Sequence, residues 1–159
     1  MGTNDAYDNN MIKRWTRKIH LKENIFQLKR FTFPINISNW HWTLTGINFN
    51  FKKVIEYFDS MGDLGINYLN VQLKVLSDEH EDKLSCPLPE IDSWSTSSCG
   101  DRVPQEPNAF DCGVYACIFA KASSRDLYPT NISQIVKNPR EKLIQLISES
   151  QLTKCKLSN

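Results

Sequence analysis

No sign of charge dominates this sequence: 19 Lys and Arg stand against 18 Asp and Glu, a formal net charge of +1 over 159 residues. That balance argues against a dedicated nucleic-acid or membrane-surface protein. There is also no apolar run long enough to cross a bilayer, and Met1-Gly2-Thr3-Asn4-Asp5 lacks the apolar core of a secretory signal. An intracellular protein is expected. The five cysteines, Cys86, Cys99, Cys112, Cys117 and Cys155, are odd in number, irregularly spaced and without a Cys-x-x-Cys pair. Such spacing spells neither a disulfide framework nor a zinc knuckle, so no metal site is expected from it. In a reducing compartment the sequons Asn36-Ile37-Ser38 and Asn131-Ile132-Ser133 carry little meaning. No internal repeat is visible.

What is there suits one domain, because 40% apolar residues in a chain of 159 can build one core. Charge is unevenly spread. Lys13, Arg14, Arg17, Lys18, Lys22, Lys29 and Arg30 crowd an early stretch, and Asp78, Glu79, Glu81, Asp82, Glu90, Asp92 and Asp101 form an acidic middle. These read either as two solvated faces or as a partner-binding patch. Residues 1–10 are polar and expected to be disordered, and Met11 to Lys18, with Ile12 and Trp15 at helical spacing, suit one or two helical turns.

Phe31 to Ile37 reads as a strand whose Pro34 suits an edge or a bulge. Trp40–Phe49 and Lys53–Asp59, rich in β-branched and aromatic residues, predict a hairpin through Asn50-Phe51-Lys52. A helix opening at Gly62 or Asp63 would carry Ile66, Leu69, Leu73 and Leu76 on one face, across the sheet. Ser77 to Val103 reads mostly as loop, with one short strand near Trp94. Residues 112–124 are apolar nearly all round and predict a central helix. A last helix is expected from about Ile132 to Leu152, broken or kinked at Pro139.

The chemistry concentrates at Asn108-Ala109-Phe110-Asp111-Cys112-Gly113-Val114. A thiol at the mouth of an apolar helix lies near unpaired N–H groups and the positive end of the helix dipole, which favour the thiolate. Cys112 is thus a candidate nucleophile. In the predicted hairpin His41 begins one strand and Asp59 ends its partner, which sets an imidazole beside an orienting carboxylate. Each residue also has a plain structural reading. Cys112 suits a buried small hydrophobe, His41 a core histidine between Trp40 and Trp42, and Asp59 a cap for the turn at Ser60-Met61-Gly62. Cys117 keeps the structural reading, and His20 and His80 read as surface residues.

Four stretches in order and register resemble the SUMO-specific (sentrin-specific) cysteine proteases, the Ulp-type peptidases of ubiquitin-like modifiers. They are Ile12-Lys13-Arg14-Trp15-Thr16-Arg17-Lys18, His41-Trp42-Thr43-Leu44, Tyr57-Phe58-Asp59-Ser60-Met61-Gly62, and Pro104-Gln105-Glu106-Pro107-Asn108 leading into Asp111-Cys112-Gly113. The resemblance covers about residues 12–150. It implies an α+β, papain-like fold with a mixed central sheet flanked by helices, and a protease domain over 11–159 lacking the family's further N-terminal helical stretch.

It also implies His41, Asp59 and Cys112 as the triad, Trp42 as the wall of a narrow channel over a Gly-Gly tail, and Gln105 and Glu106 as the oxyanion-hole region. The expected activity is cleavage after Gly-Gly of SUMO or a related modifier, in precursor processing or deconjugation from lysine, by a monomer needing no cofactor, nucleic acid or membrane. A nuclear or nucleocytoplasmic site is the family's implication. One departure stands out: the family's oxyanion-hole glutamine falls at Glu106, whose ionised carboxylate offers no donor. The alternative reading is a homologue that binds a ubiquitin-like modifier but cleaves weakly or not at all.

Overall fold

The computed structural model describes residues 25–50, 53–125, 127 and 138–157, with side chains of the last helix described through Glu149. Strands β1 (Arg30–Ile37), β2 (His41–Asn48), β3 (Val54–Phe58) and β4 (Ser95–Ser98) form one sheet in that spatial order. β1 with β2 and β2 with β3 pair antiparallel, whereas β4 joins β3 in parallel, so the sheet is mixed. The helices are α1 (Ile66–Leu84), α2 (Cys112–Ser123) and α3 (Pro139–Leu157). This is an α+β domain.

Side-chain alternation divides the core between the two faces of the sheet. Leu44 and Phe58 pack on one face with Tyr115, Ala116, Ile118 and Phe119 of α2. Ile47, Ile55 and Tyr57 pack on the other with Leu69 and Leu76 of α1. Because both faces are covered, β3 is buried along its whole length and β2 at every residue except Trp42. Pro34 lies in β1, the edge strand, where its missing N–H costs no ladder bond to a further neighbour. Arg30 ties that edge inward, donating from Nη1 to Glu56 Oε2 (2.6 Å) on β3 and to Ser123 Oγ (2.9 Å) at the end of α2.

Several elements depart from the sequence expectation. α1 starts later than Gly62 or Asp63, after Gly65, whose φ of 61° and whose approach to Tyr57 leave no room for a side chain: an added Cβ would lie 2.2 Å from the ring. Ile66 is consequently exposed and not part of the buried face.

α1 also continues through the acidic run to Leu84, where a loop was expected. Leu76, Glu79 and His80 extend its buried face, while Glu81 and Asp82 stay outside. His80 is therefore a buried residue and not a surface one; it hydrogen-bonds the carbonyl of Cys86 (2.8 Å). Glu79 is buried as well, with Lys83 Nζ 3.6 Å away, so the acidic middle is not a uniformly solvated face.

Pro139 opens α3 and does not kink it, the first helical turn being where a missing N–H costs nothing. Cys117 is exposed, contrary to its reading as a buried structural thiol. The expectations for residues 1–24, including the turns at Met11 to Lys18 and His20, lie outside the described residues, as do Phe51, Lys52 and 128–137. No helix among the described residues is long and apolar enough to cross a membrane.

Candidate active site

The β2–β3 ladder ends at Leu44 opposite Phe58, and the chain ends just beyond that pair carry His41 and Asp59. Their side chains meet: His41 Nε2 lies 2.9 Å from Asp59 Oδ1, and both residues are buried. Asp59 is also a turn residue. Its Oδ1 accepts the N–H of Met61 (2.7 Å), its carbonyl accepts the N–H of Gly62 (3.2 Å), and its Oδ2 accepts the Tyr57 hydroxyl (3.2 Å). Burial, with the Asp59 charge adding to it, holds the Tyr57 phenol well above its usual pKa. Tyr57 therefore remains a donor. The capping and orienting readings of Asp59 are compatible, because a carboxylate has lone pairs for both.

Cys112 is the first residue of α2 and is buried. Its Sγ, a ring nitrogen of His41 and a carboxylate oxygen of Glu106 all lie within 4.8 Å of one another. Nε2 is engaged with Asp59, and Nδ1 is buried without a hydrogen-bond partner, which leaves it as the nitrogen free to serve the sulfur. Trp42 leans over the start of the helix: its Cδ1 would lie 3.7 Å from a Cβ added at Gly113.

The loop before Cys112 is held from three sides. Glu106 Oε2 accepts the N–H of Asp111 (2.9 Å), its Oε1 accepts the Ser60 hydroxyl (3.3 Å), and its own N–H reaches the Ser60 carbonyl (2.9 Å). The Asp111 carboxylate accepts Asn108 Nδ2 (2.9 Å) and, from α3, Arg140 Nε (2.8 Å) and Nη2 (2.6 Å). The Asn108 hydrogen bond first, and then the Arg140 guanidinium, hold the Asp111 carboxyl below the usual aspartate range.

Gln105 points elsewhere. Its amide donates to the carbonyls of Gly100 (2.6 Å) and Val103 (2.9 Å), so its Nε2 is committed to the backbone of its own loop. Sequence reading did not single out Ser60 or Arg140. Arg140 did leave a signal, since a cation in the first turn of a helix opposes the helix dipole and needs another reason to be there.

Large apolar side chains surround these groups on the outside. Trp40, Trp42, Met61 and Phe110 are exposed, and each lies within two residues of His41, Asp59 or Cys112. Beside Trp42 a cavity of about 470 Å³ opens between β1, β2 and α2, lined by Thr32, Pro34, Trp42, Leu44, Ala116 and Cys117 among others.

Fold and site together define an α+β domain that gathers a cysteine, a histidine and an aspartate at one end of its sheet. Residues 3–155 match the Ulp1 protease family, C-terminal catalytic domain, and the chain belongs to that family of cysteine peptidases. It is 31% identical over 141 residues to sentrin-specific protease 2 of Homo sapiens, covering 89% of this chain and 23% of that protein. To the sentrin-specific protease of Caenorhabditis elegans it is 28% identical, covering 89% and 19%. The chain thus spans about a quarter or less of these relatives' length.

Among solved structures it is similar to the C-terminal Ulp1 protease domain in complex with Smt3, the yeast ortholog of SUMO. The TM-score is 0.57 at 27% identity over 76% of this chain and 52% of that one. A second structure, of a de-sumoylating protease, shares the fold with a TM-score of 0.56 at 23% identity, covering 94% and 68%.

Proposed function

We propose that the chain hydrolyses the peptide or isopeptide bond that follows the Gly-Gly terminus of SUMO or a related ubiquitin-like modifier, the catalytic unit being residues 11–159. The observation that carries this reading is the His41–Asp59 hydrogen bond beside the Cys112 thiol at the start of α2. Family membership and the likeness to a protease solved with Smt3 support the substrate class.

In this mechanism His41 takes the proton of Cys112, and the sulfur attacks the glycine carbonyl. His41 then gives the proton to the leaving amine, and a thioester links Cys112 to the modifier. Water, deprotonated by His41, cleaves that thioester and frees the thiol. Asp59 holds the Nε2–H side of the imidazole and stabilises the imidazolium that forms. Trp42 lies over Gly113, and a flat aromatic wall beside the nucleophile would admit residues without side chains, which matches a Gly-Gly tail.

The developing oxyanion needs donors. Gln105 is committed elsewhere and Glu106 is a carboxylate, so among the described residues the N–H groups of the first turn of α2 are the donors that remain beside Cys112. Single-turnover cleavage of a SUMO fusion tests the reading. Cleavage after Gly-Gly that disappears in Cys112→Ser and in His41→Ala is expected. A folded chain that leaves the fusion intact at stoichiometric enzyme would refute it.

A further inference from the structure

The presence of Glu106 beside Cys112 and His41 gives this chain a ligand set that a thiol peptidase does not need for catalysis. A thiolate sulfur, an imidazole nitrogen and a carboxylate oxygen converge from three separate segments, all within 4.8 Å of one another. Those are the donor types that bind Zn²⁺, and three protein ligands with a water in the fourth position make an open tetrahedral zinc site. We propose that Zn²⁺ binds reversibly to Cys112, His41 and Glu106, and that its binding closes the active site. The inhibitory half of the proposal rests on the function given above; the metal site does not.

The surroundings of each ligand fit. His41 Nε2 is held by Asp59 at 2.9 Å, the carboxylate–histidine arrangement that fixes a metal-bound imidazole, and the opposite nitrogen Nδ1 is buried with no hydrogen-bond partner. The Glu106 carboxylate is steered by the Asp111 N–H on Oε2 and the Ser60 hydroxyl on Oε1. Each oxygen of a carboxylate keeps a further lone pair for a metal.

With metal–ligand bonds of about 2.0–2.3 Å, tetrahedral geometry sets the ligand atoms about 3.3–3.8 Å apart. The three groups here would close by about 1.5 Å at most, a movement within reach of side-chain torsions. Binding replaces the Cys112 thiol proton, which passes to solvent, and engages the nitrogen that would otherwise serve as the base. Nucleophile and base are withdrawn in one event. The cysteine spacing gave no hint of this site because its ligands come from β2, the loop before α2 and the first residue of α2.

The test uses the full chain stripped with chelator and titrated with Zn²⁺ or with Co²⁺ as a spectroscopic stand-in. One ion per chain is expected, with a thiolate-to-cobalt charge-transfer absorption that vanishes in Cys112→Ser. The band should persist in Cys86→Ser, the control for the other Cys–His neighbours, where Cys86 Sγ lies 4.0 Å from His80 Nδ1. Glu106→Gln should weaken Zn²⁺ binding by at least the roughly 10–100-fold that loss of an outer-shell partner costs. In the unaltered chain, Zn²⁺ should protect Cys112 from iodoacetamide, and chelator should restore alkylation.

A charge-transfer band that survives Cys112→Ser, equal affinity in Glu106→Gln, or alkylation of Cys112 unaffected by saturating Zn²⁺ would overturn the site. Cleavage of a SUMO fusion without metal binding refutes this proposal alone. Metal binding by a chain that, once freed of metal by chelator, still leaves the fusion intact supports the site and refutes only the reaction assigned to it.

Discussion

In the proposed reaction the oxyanion forms beside Cys112, where Glu106 brings a carboxylate in place of a hydrogen-bond donor. A negative oxygen near the developing oxyanion repels it, whereas the neutral amide of glutamine at the same length donates to it. Glu106→Gln should therefore accelerate single-turnover cleavage, by roughly 10²-fold if a full oxyanion donor is restored. Measurement across a range of pH checks this, and equal rates for the two forms at every pH would show that Glu106 does not impair the reaction.

In the proposed reaction Asp59 has the opposite sense, assisting the base. Asp59→Asn keeps an acceptor for the Met61 N–H, so folding should survive, but the amide permits the wrong imidazole tautomer. Turnover should fall by about 10⁴-fold, the loss seen for the equivalent change in a serine-protease triad. Unchanged turnover with native circular dichroism would leave Asp59 a turn residue only. The residues that meet at this end of the sheet, His41, Asp59, Cys112 and Glu106, could be picked out as candidates in the sequence because each sits in a short local motif. The engagement of Gln105 with Gly100 and Val103 was not, since it depends on how its loop doubles back.

Elements were legible where side-chain period and burial agree. The β2–β3 hairpin combines β-branched and aromatic residues with a short connection, and it forms over His41–Asn48 and Val54–Phe58. The second half of α1 was hidden because charge density suggested solvent, yet Glu79 and His80 turn inward on the same face as Leu76. β4 forms at Ser95–Ser98, beside the Trp94 where one short strand was expected; its parallel pairing with β3 was not legible, because these four residues have no apolar alternation.

The start of α1 gives a prediction of its own. Gly65→Ala forces a Cβ into the Tyr57 ring at a positive φ and should cost about 2 kcal/mol or more in a urea titration. A loss below about 0.5 kcal/mol, the ordinary range for surface changes, would contradict that packing. Arg140 joins α3 to the nucleophile loop through Asp111. Because the folded Asp111 pKa is depressed, its contribution to stability is present above the unfolded value of about 3.9 and is lost as pH falls through the folded value. The melting-temperature gap between the parent and Arg140→Gln should hold steady near neutral pH and narrow in acid. A gap that widens in acid would contradict the assigned ion pair.

At the scale of the molecule, one sheet covered on both faces presents His41 and Asp59 at one end and the first turn of α2 beside them. Exposed Trp40, Trp42, Met61 and Phe110 around that end make an apolar rim suited to a protein substrate. Composition and family-like motifs made the class of domain legible, but not which charged residues would be buried. The central claim is that this end of the sheet recognises a ubiquitin-like modifier and presents a reactive Cys112 to its Gly-Gly tail.

The most direct measurement is labelling by a SUMO probe whose C-terminal Gly-Gly carries an electrophile, with the adduct mapped by mass spectrometry. The account predicts one adduct, on Cys112, lost in His41→Ala and absent from Cys117 despite that thiol's exposure. No adduct on a folded chain whose Cys112 still reacts with iodoacetamide, or an adduct on Cys117 in place of Cys112, would contradict it.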